Sequence, residues 1–286
     1  SILILLAAVG PCHAWSVAYG GEETDALRTR LFAEARKRTE RCWERYIGLE
    51  PPHDDTSARA VMSYALILAQ ANAHLERLPR LMELTEHMQQ DDPESPDHGN
   101  LWWYWRDGEV TDPNSVEFVM QTATRLWTRH RTELEPTVVS SLHRVMTLGA
   151  QACMQRQVPV WYTNIAILNA SNLIALGEIL EDPAVAEEGY RRLKDICLWT
   201  WKYGITEYVS PTYYAVNLDG LRWIAARADR AEGRRQAESM LNLLATDIGA
   251  SWWPPAQRVA GAHSRSYDYL HGTGELDKRI ALAGWT

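Results

Sequence analysis

Hydrophobic residues recur along most of the chain with the spacing of amphipathic α-helices, and this pattern predicts nine helical segments. They cover residues 22–47, 57–76, 78–90, 114–132, 135–156, 163–181, 183–203, 211–230 and 231–249. A potential capping side chain precedes a proline at Asp182-Pro183 and at Ser210-Pro211, which marks two helix starts. Weak strand character is confined to the region around and after Val259. The pattern therefore predicts an all-α fold of paired antiparallel helices.

The segment 163–181 differs from the others because it is apolar on nearly every face. Such a helix must be surrounded by protein, so we expect it in the core. Asn164 lies in its first turn, directly after Trp161 and Tyr162, and shares a face with Ser171. This position allows Asn164 to face the mouth of a cavity. The alternative is a cap or an inter-helix hydrogen bond.

Composition and charge narrow the classes of partner. The 286 residues include 29 Lys and Arg and 37 Asp and Glu, which gives a net charge of −8. This acidic balance argues against nucleic acid as a partner. After the first ten residues, no apolar run approaches the roughly 18 residues that a membrane span requires, so no membrane partner is expected. The histidines show no HExxH motif and no ligand-spaced clusters, so a zinc site is not expected.

The first residues resemble a secretory leader. An apolar run over residues 1–10 is followed by Pro11-Cys12-His13-Ala14. This pattern predicts a signal-peptide remnant at residues 1–15, a single domain over residues 16–286, and a secreted or periplasmic protein. The alternative is a buried N-terminal segment. Three further cysteines remain, and a pairing of Cys153 with Cys197 stays open.

The aromatic residues are mostly ones with a polar edge. The chain has 13 Trp and 12 Tyr but only 2 Phe. Trp and Tyr suit the faces of sugars and wet clefts. Two loops, residues 100–105 and 251–255, concentrate such residues, the first of them with Trp102, Trp103 and Trp105. We interpret these loops as binding surfaces, with packing against helices as the alternative.

Two polar segments are candidates for catalysis. Tyr213 lies in the first turn of the helix that Pro211 begins, on a line with Asn217, and the helix N-terminus and nearby cations are expected to favour its phenolate. In the second segment, 262–270, an extended backbone would put His263, Arg265 and Tyr267 on one side. A mixed surface strand is the alternative for this segment.

These residues resemble motifs of the helical-toroid polysaccharide lyases, which include alginate lyases, chondroitin AC-type lyases and heparinases. The segment from Tyr213 to Leu221 is similar to the Tyr-bearing helix of the alginate lyases. Asn164 is similar in placement to their uronate-neutralising Asn, although Ile165 replaces the Asn that usually follows. The resemblance implies an incomplete (α/α) toroid, and it leaves open whether a C-terminal domain is missing. It also implies β-elimination on an acidic polysaccharide or oligosaccharide that contains uronic acid, without a cofactor.

The resemblance also implies a role for each candidate residue. Tyr213 would protonate the glycosidic oxygen, and either Tyr213 or His263 would remove the proton on C5. Asn164 and Arg265 would neutralise the uronate carboxylate, which stabilises the developing enolate. Substrate would further be contacted by Trp102, Trp103, Trp105, Trp161, Glu207, Tyr214 and Tyr267.

Three other functions stay open at this point. A glycoside hydrolase on a similar toroid would need two opposed carboxylates, for which Glu207, Asp219 and Asp268 are the suppliers. A non-catalytic carbohydrate-binding protein would keep the tryptophan loops without a convergent site. A uronate C5-epimerase would remove the same proton without cleaving the chain.

Overall fold

A computed structural model of the chain describes residues 22–272 and 274–283. The leader-like segment at residues 1–15 lies outside the described residues. The described residues fall into two compact units. Unit 1 consists of Phe32–Gln157 and Ala175–Ala186. Unit 2 consists of 22–31, Val158–Ile174, 187–272 and 274–283.

The described residues are mostly helical, which confirms the predicted all-α class. The helices are α1 (Glu22–Cys42), α2 (Ala58–Ala71), α3 (Leu78–His87), α4 (Ser115–His130), α5 (Pro136–Gln155), α6 (Thr163–Ile179), α7 (Pro183–Tyr203), α8 (Tyr213–Arg227), α9 (Ala231–Ser251) and α10 (Glu275–Leu282). A π-helical turn at Trp43–Ile47 continues α1, and 3₁₀ turns cover Leu75–Arg77, Trp105–Asp107, Pro254–Ala256 and Tyr267–His271. Two short antiparallel strands, β1 (Trp252–Trp253) and β2 (Arg258–Val259), pair Trp252 with Val259. The first eight predicted segments contain the helices α1 to α8, and the ninth, 231–249, coincides with α9 except for its last two residues.

Of the two helix starts predicted at a proline, α7 begins at Pro183 as predicted, whereas α8 begins at Tyr213, two residues after Pro211. The Asp182 carboxylate accepts the backbone N–H groups of Ala184 and Val185 at 3.0 and 3.2 Å. The Ser210 hydroxyl accepts the backbone N–H of Tyr213 at 3.0 Å. Each bond satisfies a donor that a helix N-terminus leaves unpaired.

In unit 1, helices α2 to α5 pack around a shared apolar core. α2 contacts α3 and α4, and α5 contacts the same two helices. The Ser57 hydroxyl begins α2 by accepting the backbone N–H of Ala60 at 3.2 Å. Val61, Leu81 and Leu142 are among the residues that this packing buries completely. Burial of these aliphatic side chains is the main source of stability for the unit.

The aromatic loop at residues 100–105 belongs to unit 1, where its tryptophans are half-buried by packing. Trp105 stacks on His87 of α3 with ring centroids 4.8 Å apart, and Trp102 lies edge-on to the same imidazole at 5.4 Å. Trp103 meets Phe118 of α4 edge-on at 5.6 Å. These contacts fix the loop against α3 and α4.

The position of Gly99, just before this loop, requires glycine because of both its backbone conformation and the atoms around it. Its φ is +82°, and a Cβ atom there would lie 2.0 Å from the carbonyl oxygen of Leu148. We expect Gly99→Ala to lower the free energy of unfolding by about 2 kcal/mol or more. Gly108→Ala is the matched control, because Gly108 has a φ of +64° but no atom near the added Cβ. Urea denaturation of both variants gives the comparison; equal losses would contradict the contact with Leu148.

In unit 2, the buried part of α6 lies against α8. Residues 163–174, the part of α6 that belongs to unit 2, are all buried, as the apolar sequence of α6 predicts. Gly220 of α8 packs directly on Ile167 and Ser171, and the Ser171 hydroxyl donates to the Gly220 carbonyl at 3.3 Å. α8 also packs against α9 and α10. α8 is therefore the central helix of the unit.

Three properties bear on partners and cofactors. No helix within 22–272 and 274–283 is long and apolar enough to cross a membrane. Across the same ranges, His, Cys, Asp and Glu form no group of three or more that could hold a metal ion. Cys42, Cys153 and Cys197 form no disulfide within the described residues, the Cys153 thiol donates to Glu117 at 3.7 Å, and burial raises the pKa of Cys197 to about 11.

Candidate functional site

Two loops of unit 2 lie side by side and carry most of the candidate residues. The first, residues 204–212, connects α7 to α8, and the second, residues 260–266, follows β2. The Ser264 backbone N–H donates to the Tyr208 carbonyl at 3.1 Å. At the start of the next 3₁₀ turn, the Asp268 backbone N–H donates to the Thr212 hydroxyl at 3.3 Å. These bonds hold the two segments in a fixed register.

Both loops contain a strained residue near their junction. Val209 has a φ of +45° and Arg265 a φ of +53°. Positive φ is rare outside glycine and is unfavourable above all for a β-branched residue such as valine. The Ser210 hydroxyl, which caps α8 at Tyr213, also donates to the Arg265 carbonyl at 3.1 Å. The strain is thus maintained by contacts that tie both loops to the start of α8.

The expectation of an extended backbone over residues 262–270 is wrong. The left-handed conformation of Arg265 interrupts the alternation of side chains, and a 3₁₀ turn begins at Tyr267. Arg265 and Tyr267 still meet, because the guanidinium donates to the Tyr267 hydroxyl at 2.8 Å. His263 instead turns to its own segment, with Nδ1 2.7 Å from the Ser266 hydroxyl oxygen and its ring edge-on to Tyr269.

Five residues converge in unit 2 and are called the Tyr213 cluster: Asn164, Glu207, Tyr213, Arg265 and Tyr267. The Asn164 backbone N–H, at the start of α6, donates to Glu207 Oε2 at 2.8 Å. Glu207 Oε1 lies 3.8 Å from Arg265 Nε. The rings of Tyr213 and Tyr267 are edge-on, with centroids 6.2 Å apart. Asn164 and Glu207 are buried, Tyr213 is half-buried, and Arg265 and Tyr267 are exposed, so the cluster runs from the interior to the surface.

Tyr213 is a neutral phenol, contrary to the expectation that its phenolate is favoured. Burial raises the pKa of Tyr213 to about 12. Tyr267, Glu207 and Tyr162 act in the same direction, and only the Arg265 cation opposes them. Proximity to a helix N-terminus and a cation is therefore outweighed by burial and by neighbours that acquire or carry negative charge. In this state Tyr213 is suited to donate a proton.

The pKa of the buried Glu207 carboxyl group differs from that of an ordinary surface carboxylate. Burial raises its pKa above the ordinary value of 4.5, although the Asn164 N–H and Arg265 stabilise the charged form. A carboxyl group with a raised pKa exchanges protons closer to neutral pH, which is the property of many catalytic acids and bases.

The raised pKa of Glu207 makes stability depend on pH in a defined direction. Between 4.5 and the higher pKa of the folded state, the folded protein binds more protons than the unfolded chain. The contribution of Glu207 to stability is therefore full below pH 4.5 and is lost as the pH rises through its folded-state pKa. We expect Glu207→Gln to lose less stability than the wild type over this interval in urea titrations at a series of pH values. Glu109→Gln, at an exposed position, should follow the wild type; identical curves for all three would contradict the shift.

The remaining residues predicted to contact substrate lie outside the Tyr213 cluster, and one of them is buried in the core. Trp161 is 51% exposed and stacks on Tyr162, with centroids 6.3 Å apart. Tyr214 is fully buried, and its hydroxyl donates to Asp247 at 2.9 Å, which is a packing role. Trp102, Trp103 and Trp105 belong to unit 1.

Two of the three carboxylates considered for a hydrolase have structural partners. Asp219 forms an ion pair with Arg279 at 2.7 Å, and both side chains are buried. Asp268 accepts the backbone N–H of Glu275 at 2.9 Å, at the start of α10. Glu207 is the carboxylate that remains next to Tyr213.

Sequence reasoning missed two features of this region. The first is the double role of Ser210, which caps α8 and also holds the Arg265 backbone. The second is the complete burial of Asn217, one turn after Tyr213 on α8. The alignment of Asn217 with Tyr213 on one line of the helix was the available signal for the second.

Comparisons with known proteins give one family and no function. A family described as a domain of unknown function, DUF8769, matches residues 86–273. No curated protein and no solved structure matches the chain. The family match spans more than half of the chain and contains the whole Tyr213 cluster. The chain therefore belongs to the DUF8769 family.

Proposed function

We propose that the protein is a polysaccharide lyase that cleaves a uronic-acid-containing glycan by β-elimination. The observation that carries the proposal is the convergence of the Tyr213 phenol with a buried carboxyl group, Glu207, and an exposed cation, Arg265. An elimination beside a carboxylate needs these three functions: a proton donor, a base and a cation that binds the acid group.

Arg265 is the residue that binds the uronate carboxylate in this proposal. Its guanidinium is exposed and is oriented by the bond to the Tyr267 hydroxyl. A guanidinium presents paired donors that match a carboxylate, and it neutralises charge that would otherwise oppose enolate formation. Binding of the carboxylate there brings the adjacent C5 hydrogen towards Glu207.

The chemical step then removes a proton from C5 and adds a proton to the glycosidic oxygen that departs from C4. The ionised Glu207 takes the proton from C5, and the electrons of that C–H bond form the C4=C5 double bond. The bond between C4 and the glycosidic oxygen breaks, and the Tyr213 hydroxyl gives its proton to the departing oxygen. A proton passing from Glu207 to the Tyr213 phenolate restores both groups. Glu207 takes the role of base instead of His263 because the ring of His263 is engaged by Ser266 and Tyr269.

The hydrolase alternative receives less support from the contacts. It requires a second free carboxyl group opposite the first. Asp219 is neutralised by Arg279, and Asp268 is engaged at the start of α10. Glu207 also accepts a backbone N–H, but it is the one of the three that lies in the Tyr213 cluster, with Oε1 3.8 Å from Arg265 Nε.

The proposal is tested by incubation with alginate, chondroitin and polygalacturonate. Elimination creates an unsaturated uronate, so the expected result is rising ultraviolet absorbance together with new chain ends. New reducing ends without absorbance would favour a hydrolase. A change in uronate configuration by NMR without cleavage would favour a C5-epimerase. Absence of all three changes would overturn an enzymatic role on these polymers.

Two further expectations belong to the same proposal. The incomplete (α/α) toroid is our proposed arrangement of the helices, supported by their regular succession from α2 to α9. A secreted or periplasmic location is proposed from the leader-like residues 1–15 and would bring the protein to external polysaccharides.

A further inference from the structure

Asn217 is a buried amide without a hydrogen-bond partner. It lies in α8 and is 0% exposed. Neither its Oδ1 nor its Nδ2 atom makes a hydrogen bond with any described residue. The great majority of buried polar side-chain atoms in proteins are hydrogen-bonded, so two unsatisfied atoms on one side chain need an explanation.

The position of Asn217 connects it to the Tyr213 cluster. It follows Tyr213 by four residues and precedes Gly220 by three, so the three share one face of α8. At one end of this face, Tyr213 is influenced by Tyr162, just before α6. At the other end, Gly220 packs on Ile167 of α6. Asn217 therefore lies between these two positions, on the side of α8 that meets α6.

The first turn of α6 carries another unsatisfied amide. Asn164 is 1% exposed, and its Oδ1 has no hydrogen-bond partner among the described residues. Its backbone N–H is the donor to Glu207. Two buried amides with unused hydrogen-bonding capacity thus lie on two helices that pack together, Asn164 within the Tyr213 cluster and Asn217 one turn after Tyr213.

An unsatisfied buried amide destabilises the fold, and an apolar side chain of similar shape would avoid that cost. We propose that Asn217 is a substrate-binding residue that, together with Asn164, hydrogen-bonds hydroxyl groups of the sugar ring whose carboxylate Arg265 holds. An amide offers both donors and an acceptor, which matches a hydroxyl group, whereas a carboxylate calls for cations. This inference rests on the proposed function for the identity of the ligand and gives Asn217 a role in selecting among uronates by their ring hydroxyls.

The test uses Asn217→Leu, which keeps the branched shape without polar atoms, and Asn217→Ala as a smaller alternative. We expect Asn217→Leu to raise the melting temperature of the full chain by about 2–4 °C, because two unsatisfied atoms are removed. On the polymer that the wild type cleaves, kcat/KM should fall at least roughly tenfold. Asn242→Leu, at an exposed position on α9, corrects for the change in helix propensity and should leave activity unchanged.

The outcomes separate this inference from the proposed function. A lower melting temperature for both Asn217 variants would assign the amide a structural hydrogen bond and overturn the inference. Unchanged kcat/KM in a stabilised Asn217→Leu would also overturn it while the lyase proposal stands. If the wild type cleaves none of the polymers, sugar binding is measured instead. The readout is the shift in melting temperature that alginate, chondroitin and neutral dextran oligosaccharides induce. A shift that disappears in Asn217→Leu supports a sugar-binding amide, and no shift in the wild type overturns it.

Discussion

Replacing Tyr213 by phenylalanine should lower kcat/KM on a cleaved uronate polymer by about 10²–10⁴-fold, the usual contribution of a general acid. The pKa of about 12 keeps the hydroxyl protonated throughout the physiological range, so it is ready to protonate the departing oxygen. Its hydroxyl makes no hydrogen bond with a described residue, so its removal should leave the free energy of unfolding nearly unchanged. Steady-state ultraviolet assays and urea denaturation measure the two effects.

Tyr203→Phe is the matched control for this variant. Tyr203 is exposed at the end of α7. The substitution therefore removes a hydroxyl group from the surface and should alter neither activity nor stability. Tyr214→Phe adds a contrast, because it breaks the buried hydrogen bond to Asp247 and should weaken the fold more than the chemistry. Full activity in Tyr213→Phe would remove the proton donor from the mechanism.

The helices were predictable because burial in this chain follows the helical period. The caps at Asp182 and Ser210 could be read from local sequence, since each bond joins residues two or three positions apart. α10 was missed because eight residues give barely two turns of periodicity. Its place is fixed by packing on α8 and by the pairing of Arg279 with Asp219, 60 residues away in sequence.

The sequence allowed several residues of the candidate site to be predicted, but not how they are arranged. Residue type and helix position pointed to Tyr213, Arg265 and Asn164. The positive φ of Arg265 was not readable, because a non-glycine residue adopts it only under tertiary contacts. For this reason the period-two argument brought Arg265 and Tyr267 together but wrongly included His263.

The prediction that the phenolate of Tyr213 is favoured was wrong for a related reason. Sequence reveals a helix N-terminus and a nearby arginine, both of which favour a phenolate. It does not reveal burial, or that Tyr267, Glu207 and Tyr162 gather around the same hydroxyl. These effects depend on segments up to about fifty residues apart, and together they outweigh the cation.

Replacing Arg279 by methionine should lower the free energy of unfolding by about 3–5 kcal/mol, the typical result of leaving a buried charge without its partner. Arg279 of α10 and Asp219 of α8 are 2.7 Å apart, and their side chains are only 9% and 4% exposed. The variant leaves the Asp219 carboxylate buried without its guanidinium partner. Urea denaturation at neutral pH measures the loss.

A double variant separates the stranded charge from a loss of packing. Asp219→Leu combined with Arg279→Met removes both charges and should recover most of the stability, because an apolar pair of similar volume avoids the desolvation of two ions. The exposed pair of Arg28 with Asp25 is the control, and Arg28→Met should cost less than about 1 kcal/mol. A loss in Arg279→Met as small as that of Arg28→Met would show that water reaches Asp219. The contact between α8 and α10 would then not depend on this ion pair.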